Sequence, residues 1–184
     1  MVRARAVRVV VAMVVGVAAW CVGVGAAVGA PGDLDTSFST DGILTTDVGP
    51  SPGSNEDSGR AVVVDSTGRI VVAGYSYNGS NQDFTVLRYT SAGELDTSFS
   101  TDGIVTTAIG SSADHGYAVA LDSAGRIIVA GRSYNGSNYD FAVVRYNVDG
   151  SLDTSFGTDG IVLTDFGNIY FADRGNNRIG KVTF

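Results

Sequence analysis

Short apolar runs and alternating stretches, each bounded by Gly, Asn or Asp, fill the chain from residue 31 onward and read as strands. Ile104 to Thr107 follows an Asp102-Gly103 turn. Tyr117 to Leu121 alternates, and Ser123-Ala124-Gly125 turns the chain. Ile127 to Ala130 is continuously apolar, the pattern of a strand buried on both faces. Tyr134-Asn135-Gly136-Ser137-Asn138 reads as a hairpin turn, because Asn-Gly accepts positive φ. Phe141 to Tyr146 is the last strand before a turn at Val148-Asp149-Gly150.

This four-strand pattern repeats. Leu34-Asp35-Thr36-Ser37-Phe38-Ser39-Thr40-Asp41-Gly42-Ile43 recurs unchanged at Leu95–Ile104, and at Leu152–Ile161 with Gly157 for the serine, at spacings of 61 and 57 residues. Asp65–Tyr89 returns as Asp122–Tyr146 with 19 of 25 positions identical. The difference in spacing falls in a loop, Gly49-Pro50-Ser51-Pro52-Gly53, where insertions are tolerated. Four strands in about 57 residues with a doubly buried inner strand is the pattern of a propeller blade, with a stacked β-solenoid as the alternative. The predicted fold is therefore all-β: tandem four-stranded β-propeller-type blades, two complete and one partial, in an open or incomplete propeller. The units run 31–91, 92–150 and 151–184, the last one partial. Rings of this kind need about four to eight blades. The unit count predicts an open wedge, assembly with other copies, or a piece of a longer array, with exposed end blades favouring self-association.

Residues 1–30 carry a different signal. Arg3, Arg5 and Arg8 precede an apolar run from Val9 to Val28, and small residues Ala27 to Ala30 offer a cleavage site, so an N-terminal hydrophobic signal helix is expected. An uncleaved anchor is the competing reading, since the run is long enough to span a bilayer. Cys21 is a poor lipidation site, because bulky Trp20 stands before it. The expected location is secreted or extracytoplasmic. Without Cys21 the exported part has no cysteine, so stability rests on packing, assembly or bound ions.

The repeat motifs resemble the delta-60 repeat, a family of bacterial extracytoplasmic proteins. Gly32–Gly42, Ala61–Gly74 and Asp83–Tyr89 carry the likeness, and Gly93–Gly103, Ala118–Gly131 and Asp140–Tyr146 carry it again. The resemblance covers about Gly32 to Phe166 and implies a propeller-like fold with no particular activity. The tail from Gly167 to Ile179 resembles the core of an NHL repeat, another blade unit, but without the strand and turn that normally precede it.

Charge and candidate chemistry narrow the function. The formal charge is −7, and without the three N-terminal arginines it is 9 basic against 19 acidic residues, or −10. An acidic body repels phosphate backbones and argues against nucleic acid. No cofactor motif, catalytic elbow, zinc motif or paired-cysteine motif is present. His115, beside Asp114, Ser111 and Ser112, reads as an exposed loop residue, since a set so close in sequence lacks the geometry of a triad. The Asp residues, including the run Asn147 to Leu152, read as turn formers, with a calcium site as the alternative. Asn78-Gly79-Ser80 and Asn135-Gly136-Ser137 are formal glycosylation sequons for which the turn reading suffices. Arg88 and Arg145 interrupt apolar strands, so each is expected to pair with an Asp such as Asp96 or Asp153. Tyr75, Tyr77, Tyr134 and Tyr139 flank the hairpin turns and read as packing residues, with a recognition rim as the alternative. The reading is a non-catalytic, secreted or surface module for a protein or glycan ligand, with no catalytic, cofactor or metal residues assigned. The alternative is a fragment of a propeller hydrolase or lactonase with a metal in its central channel.

Overall fold

The computed structural model describes residues 31–49 and 57–165, and the backbone of 169–173 and 178–182. Residues 1–30, expected from the sequence to be a signal segment, and most of the Pro-rich loop lie outside the described residues. Among the described residues ten strands follow one another: β1 Ser58–Val64, β2 Ile70–Tyr77, β3 Gln82–Tyr89, β4 Ile104–Thr107, β5 Asp114–Leu121, β6 Ile127–Tyr134, β7 Tyr139–Tyr146, β8 Ile161–Thr164, β9 Ile169–Asp173 and β10 Arg178–Val182. They make two four-stranded antiparallel sheets in sequential order, β1 to β4 and β5 to β8, and a β9–β10 hairpin.

Local chemistry sets the turns. Asp65 Oδ1 accepts the amides of Thr67 and Arg69, and Asp122 Oδ1 does the same for Ala124 and Arg126, closing β1 to β2 and β5 to β6. Asn78 Oδ1 accepts the amides of Ser80 and Asn81, while Gly79 takes φ +104°, so the predicted Asn-Gly turn joins β2 to β3.

The strand Ile104–Thr107 corrects the sequence reading. It opens the second repeat in the sequence, yet it pairs with β3 and closes the first sheet, from Phe84↔Thr107 to Leu87↔Ile104. The reason is local. The loop from Thr90 to Gly103 folds back on the end of β3, with Asp96 N donating to Arg88 O and Arg88 N donating to Gly103 O. Sheet and repeat are thus out of phase by one strand.

A glycine decides how β1 meets β2. The pairing slips between Gly59 and Ala61, and again between Gly116 and Ala118. At these bulges the backbone presses on Gly74 and Gly131. A Cβ on Gly74 would lie 1.8 Å from Ser58 O, and one on Gly131 would lie 1.9 Å from His115 O. The last glycine of Val-Ala-Gly is therefore required by the neighbouring strand.

The core lies between the sheets. Val71, Ala73, Phe84 and Val86 of the first sheet meet Ile127, Val129, Ala142, Val144 and Tyr146 of the second, with Phe99 among them. In repeat terms Val71 corresponds to Ile128 and Ile70 to Ile127. One sheet therefore uses one face and its neighbour the opposite face, a head-to-tail stack. The other face of the first sheet, with Ile70, Val72 and Tyr89, is covered by Phe38 and Leu44. Hence β2 is buried on both faces along Ile70–Gly74. The same was expected of Ile127 to Ala130, but there only Ile127 and Val129 are buried, while Ile128 and Ala130 are half-buried. Their face is the copy of the one that the first sheet buries. Phe84 is 0% exposed and its counterpart Phe141 63% exposed. Burying such a side chain fully is worth about 1.5–3 kcal/mol.

The segment 31–49 docks on the first sheet as Ala92–Gly110 region residues dock on the second. Ser39 N donates to Ala92 O at 2.9 Å, and Ser100 N donates to Asp149 O at 2.9 Å. Phe38 lies on Gly93 as Phe99 lies on Gly150. The Thr46 and Tyr89 hydroxyls bond at 2.8 Å, and those of Thr107 and Tyr146 at 2.7 Å. Val48 N donates to Asp57 as Ile109 N donates to Asp114.

Gly131→Ala is expected to destabilise the fold by about 3 kcal/mol, because backbone has to move to admit the methyl group. Chemical denaturation measures it, and a change under about 1 kcal/mol would contradict the role of the bulge.

Candidate functional site

Four arginines are held by carboxylates. Arg88 Nε donates to Asp96 Oδ2 at 2.8 Å, and Arg145 Nε to Asp153 Oδ2 at 2.8 Å, the pairing expected from the sequence. The Asp96 and Asp153 side chains each also accept the amide and hydroxyl of a serine, Ser98 or Ser155. Sequence reasoning missed Arg69 and Arg126. Each bonds the Asp four residues before it at 2.6 Å and also approaches Asp96 (3.9 Å) or Asp153 (3.1 Å). The two sites differ in two bonds: Arg126 Nη1 donates to Asp153 where Arg69 Nη1 stops short of Asp96, and Arg88 has a partner that Arg145 lacks among the described residues. Arg88 Nη1 donates to the carbonyl of Val148, across the boundary between the sheets.

The turn reading of the other Asp residues agrees with their contacts. Asp149 Oδ1 accepts the amide and hydroxyl of Ser151, and Asp102 Oδ1 accepts the amide of Ile104. Asp83 behaves differently. Burial pushes its carboxyl up, the Asn78 side chain pulls it down, and the charge of Asp114 raises it further. Among the described residues, no three His, Cys, Asp or Glu side chains gather as a metal site.

His115 is not an exposed loop residue. Pairing with β6 carries the strand back past Tyr117 to Asp114, so His115 lies within β5, and it is 9% exposed. Its ring meets Tyr75 edge-on with centroids 4.4 Å apart, and Tyr117 and Tyr139 at 6.1 and 6.2 Å. Arg132 Nε donates to its Nδ1 at 3.3 Å.

Around His115 the structure gathers an aromatic and cationic cluster from both sheets. Arg132 stacks over Tyr139 with its guanidinium carbon 3.9 Å from the ring centroid, and lies 5.6 Å from that of Tyr117. Arg60 donates to the Tyr75 hydroxyl at 2.6 Å. Tyr134 packs on Tyr139, with centroids 5.1 Å apart. Tyr117 and Tyr139 remain 41% and 43% exposed. Of the tyrosines singled out in the sequence, Tyr75, Tyr134 and Tyr139 join this cluster, whereas the Tyr77 hydroxyl donates to Gly79 O in its own turn. No ion pair to a carboxylate holds Arg60 or Arg132 among the described residues. A cleft on the far face of the first sheet, lined by Thr46, Asp57, Val72, Thr85 and Tyr89 among others, has no arginine in its lining.

Two tests concern the ion pairs. Arg88→Met leaves Asp96 poorly compensated and is expected to cost about 3–5 kcal/mol, with Arg145→Met costing less, because Arg145 is more exposed and has one partner fewer. Equal losses in denaturation would contradict the bridge to Val148. The second test is acid. The Ser155 hydroxyl outweighs desolvation and, with the Ser155 amide and Arg145, holds the Asp153 carboxyl down at about 2 against 3.8 for a free group. A depressed carboxylate contributes stability above its unfolded value and loses it as pH falls through its folded value. The melting difference between the wild type and Asp153→Asn is therefore expected to shrink from pH about 4 to pH about 2. A difference constant over that window would contradict the assignment.

Residues 66–99 and 125–156 match a family model described as "Domain of unknown function (DUF5122) beta-propeller". A search of curated proteins gives no match. The matched stretches are equivalent in the repeat, each running from the turn before the doubly hydrogen-bonded inner strand to the aromatic residue of Leu-Asp-Thr-Ser-Phe. With two sheets of four antiparallel strands stacked head to tail, this chain is a β-propeller-type repeat protein.

Proposed function

We propose that the chain is an exported, non-catalytic propeller module of the delta-60 kind, with an NHL-like last unit. In this reading it binds a protein or glycan ligand that carries carboxylate groups. The observation that carries the reading is the surface around His115. Tyr117 and Tyr139 offer exposed ring faces for an apolar or sugar surface. Arg60 and Arg132 offer charge that no carboxylate of the described residues takes up. In a chain of formal charge −7 such arginines stand out as a local site for an anion. His115, buried and bonded to Arg132, positions the guanidinium over Tyr139. Export is supported by the basic flank and apolar run of residues 1–30.

The test pairs a glycan array of neutral and carboxylated oligosaccharides with a screen for ester and lactone hydrolysis and for bound metal. Retention of carboxylated probes is expected, falling at least about tenfold in Arg132→Ala with an unchanged melting temperature, as for loss of a charged hydrogen bond. Turnover with bound metal would replace this reading by the hydrolase one. Exported material is expected to begin near residue 31, and intact Met1 in membranes would overturn cleavage.

A further inference from the structure

Two strand edges in this protein have the sequence and position of strands that pair elsewhere in the same chain. The first is Ile43-Leu44-Thr45-Thr46. It is the counterpart of β4 (Ile104-Val105-Thr106-Thr107) and of β8 (Ile161-Val162-Leu163-Thr164). It docks on the sheet that follows it by the contacts that β4 and its loop use. Yet β4 pairs with β3 and β8 with β7, whereas Ile43–Thr46 has no strand partner among the described residues.

The second edge is β10. Gly167-Asn168-Ile169-Tyr170-Phe171-Ala172 aligns with Gly68-Arg69-Ile70-Val71-Val72-Ala73, which makes β9 the counterpart of β2 and β10 that of β3. Asp173 then stands where Gly74 and Gly131 stand. In the complete sheets a first strand leaves no room there for a Cβ. Among the described residues, β9 has no first strand beside it, and β10 pairs with β9 alone. β10 thus presents the edge to which β3 and β7 bind a fourth strand.

We propose that Ile43–Thr46 of one copy forms the fourth strand on β10 of a second copy. One composite blade, made of β9 and β10 from one chain and the 31–49 segment from the other, then lies between the second sheet of the first copy and the first sheet of the second. The register follows from the repeat. Leu87↔Ile104, Val86↔Val105 and Thr85↔Thr106 become Gly180↔Ile43, Ile179↔Leu44 and Arg178↔Thr45. The same register places Lys181, the chain's one lysine, at the position of Arg88, and Asp35 at that of Asp96. Asp35 accepts the amide and hydroxyl of Ser37 as Asp96 accepts those of Ser98, but among the described residues it has no cation. In the proposed pairing that lysine position stands to Asp35 as Arg88 stands to Asp96. The face carrying Ile128, Ala130 and Val143, the copy of the face that the first sheet buries, is covered by the same blade.

The experiment uses full-length chains in a Cys21→Ser background. Arg88 and Gly103 form a hydrogen-bonded pair, which makes Thr85↔Thr106 a non-hydrogen-bonded pair with closer side chains. Its counterpart is Arg178↔Thr45, so Thr45→Cys and Arg178→Cys are made separately and mixed under oxidising conditions. A disulfide-linked dimer is expected in the mixture and in neither variant alone. In sedimentation the wild type is expected at twice the chain mass of 18.9 kDa, less any cleaved signal. Asp35→Lys and Lys181→Asp are each expected to weaken the dimer at least about tenfold, and the double exchange to restore most of it. A monomeric wild type, a mixture that does not cross-link, or a cross-link within one chain in the double-cysteine protein would overturn the proposal.

Discussion

A guanidinium taken out of water has to meet a carboxylate, and in this protein that requirement holds three pieces of chain together. Arg88 lies in a strand otherwise made of apolar residues, with its side chain 3% exposed. Its Nε reaches Asp96, its Nη2 reaches Ser98, and its Nη1 reaches the carbonyl of Val148 on the next sheet. Those bonds pin the loop after β3, and the pinned loop delivers β4 to the edge of β3. The loop also places Phe99 beneath the turn at Gly150 and Arg88 over the Phe99 ring, with the guanidinium carbon 4.8 Å from the centroid. Such a pair contributes little net stability compared with an apolar replacement of the same shape, but breaking one half is costly. Its value here lies in fixing which segment goes where.

Much of this was legible in the sequence, because the determinants are local. The Asp-x-x-Gly and Asn-Gly turns, the period of the repeat and the need of Arg88 and Arg145 for carboxylates all follow from residues near one another in the chain. What was not legible depends on neighbours distant in sequence. Ile104–Thr107 sits nearest its own repeat, but the loop before it turns it onto the previous sheet. The run Ile127 to Ala130 is as apolar as Ile70 to Ala73, yet what covers its second face is not written in the run itself. His115 looked like a loop residue because the apolar alternation weakens at Asp114 and Gly116. The pairing Asp114↔Ser133 and His115↔Arg132 extends the strand through those positions. Arg69 and Arg126 carried a readable signal, the Asp four residues before each, which the turn reading alone absorbed.

The arginines divide by what surrounds them. Arg69, Arg88, Arg126 and Arg145 answer to Asp residues and serve the architecture. Arg60 and Arg132 bond to a tyrosine hydroxyl and an imidazole nitrogen and lie over aromatic rings. Neutral partners leave their charge largely uncancelled, which lets the same side chain be ordered and still attract an anion. The cluster exists only because the sheets stack, since Tyr75 comes from one and His115 from the other. Blade packing and the candidate binding surface are therefore one construction.

The one-strand offset between repeat and sheet bears on how such a chain grows. A repeat copied into the gene brings, as its first structural act, the strand that finishes the sheet before it, together with the aromatic residue that seats on the sheet after it. Every junction between units is then made by residues already within the copied stretch. No new contact surface has to arise for an added unit to fit, and each unit is stitched by backbone hydrogen bonds to the one preceding it. Lengthening by whole repeats is thereby structurally self-consistent, which accounts for units of near-identical sequence standing side by side in one folded chain.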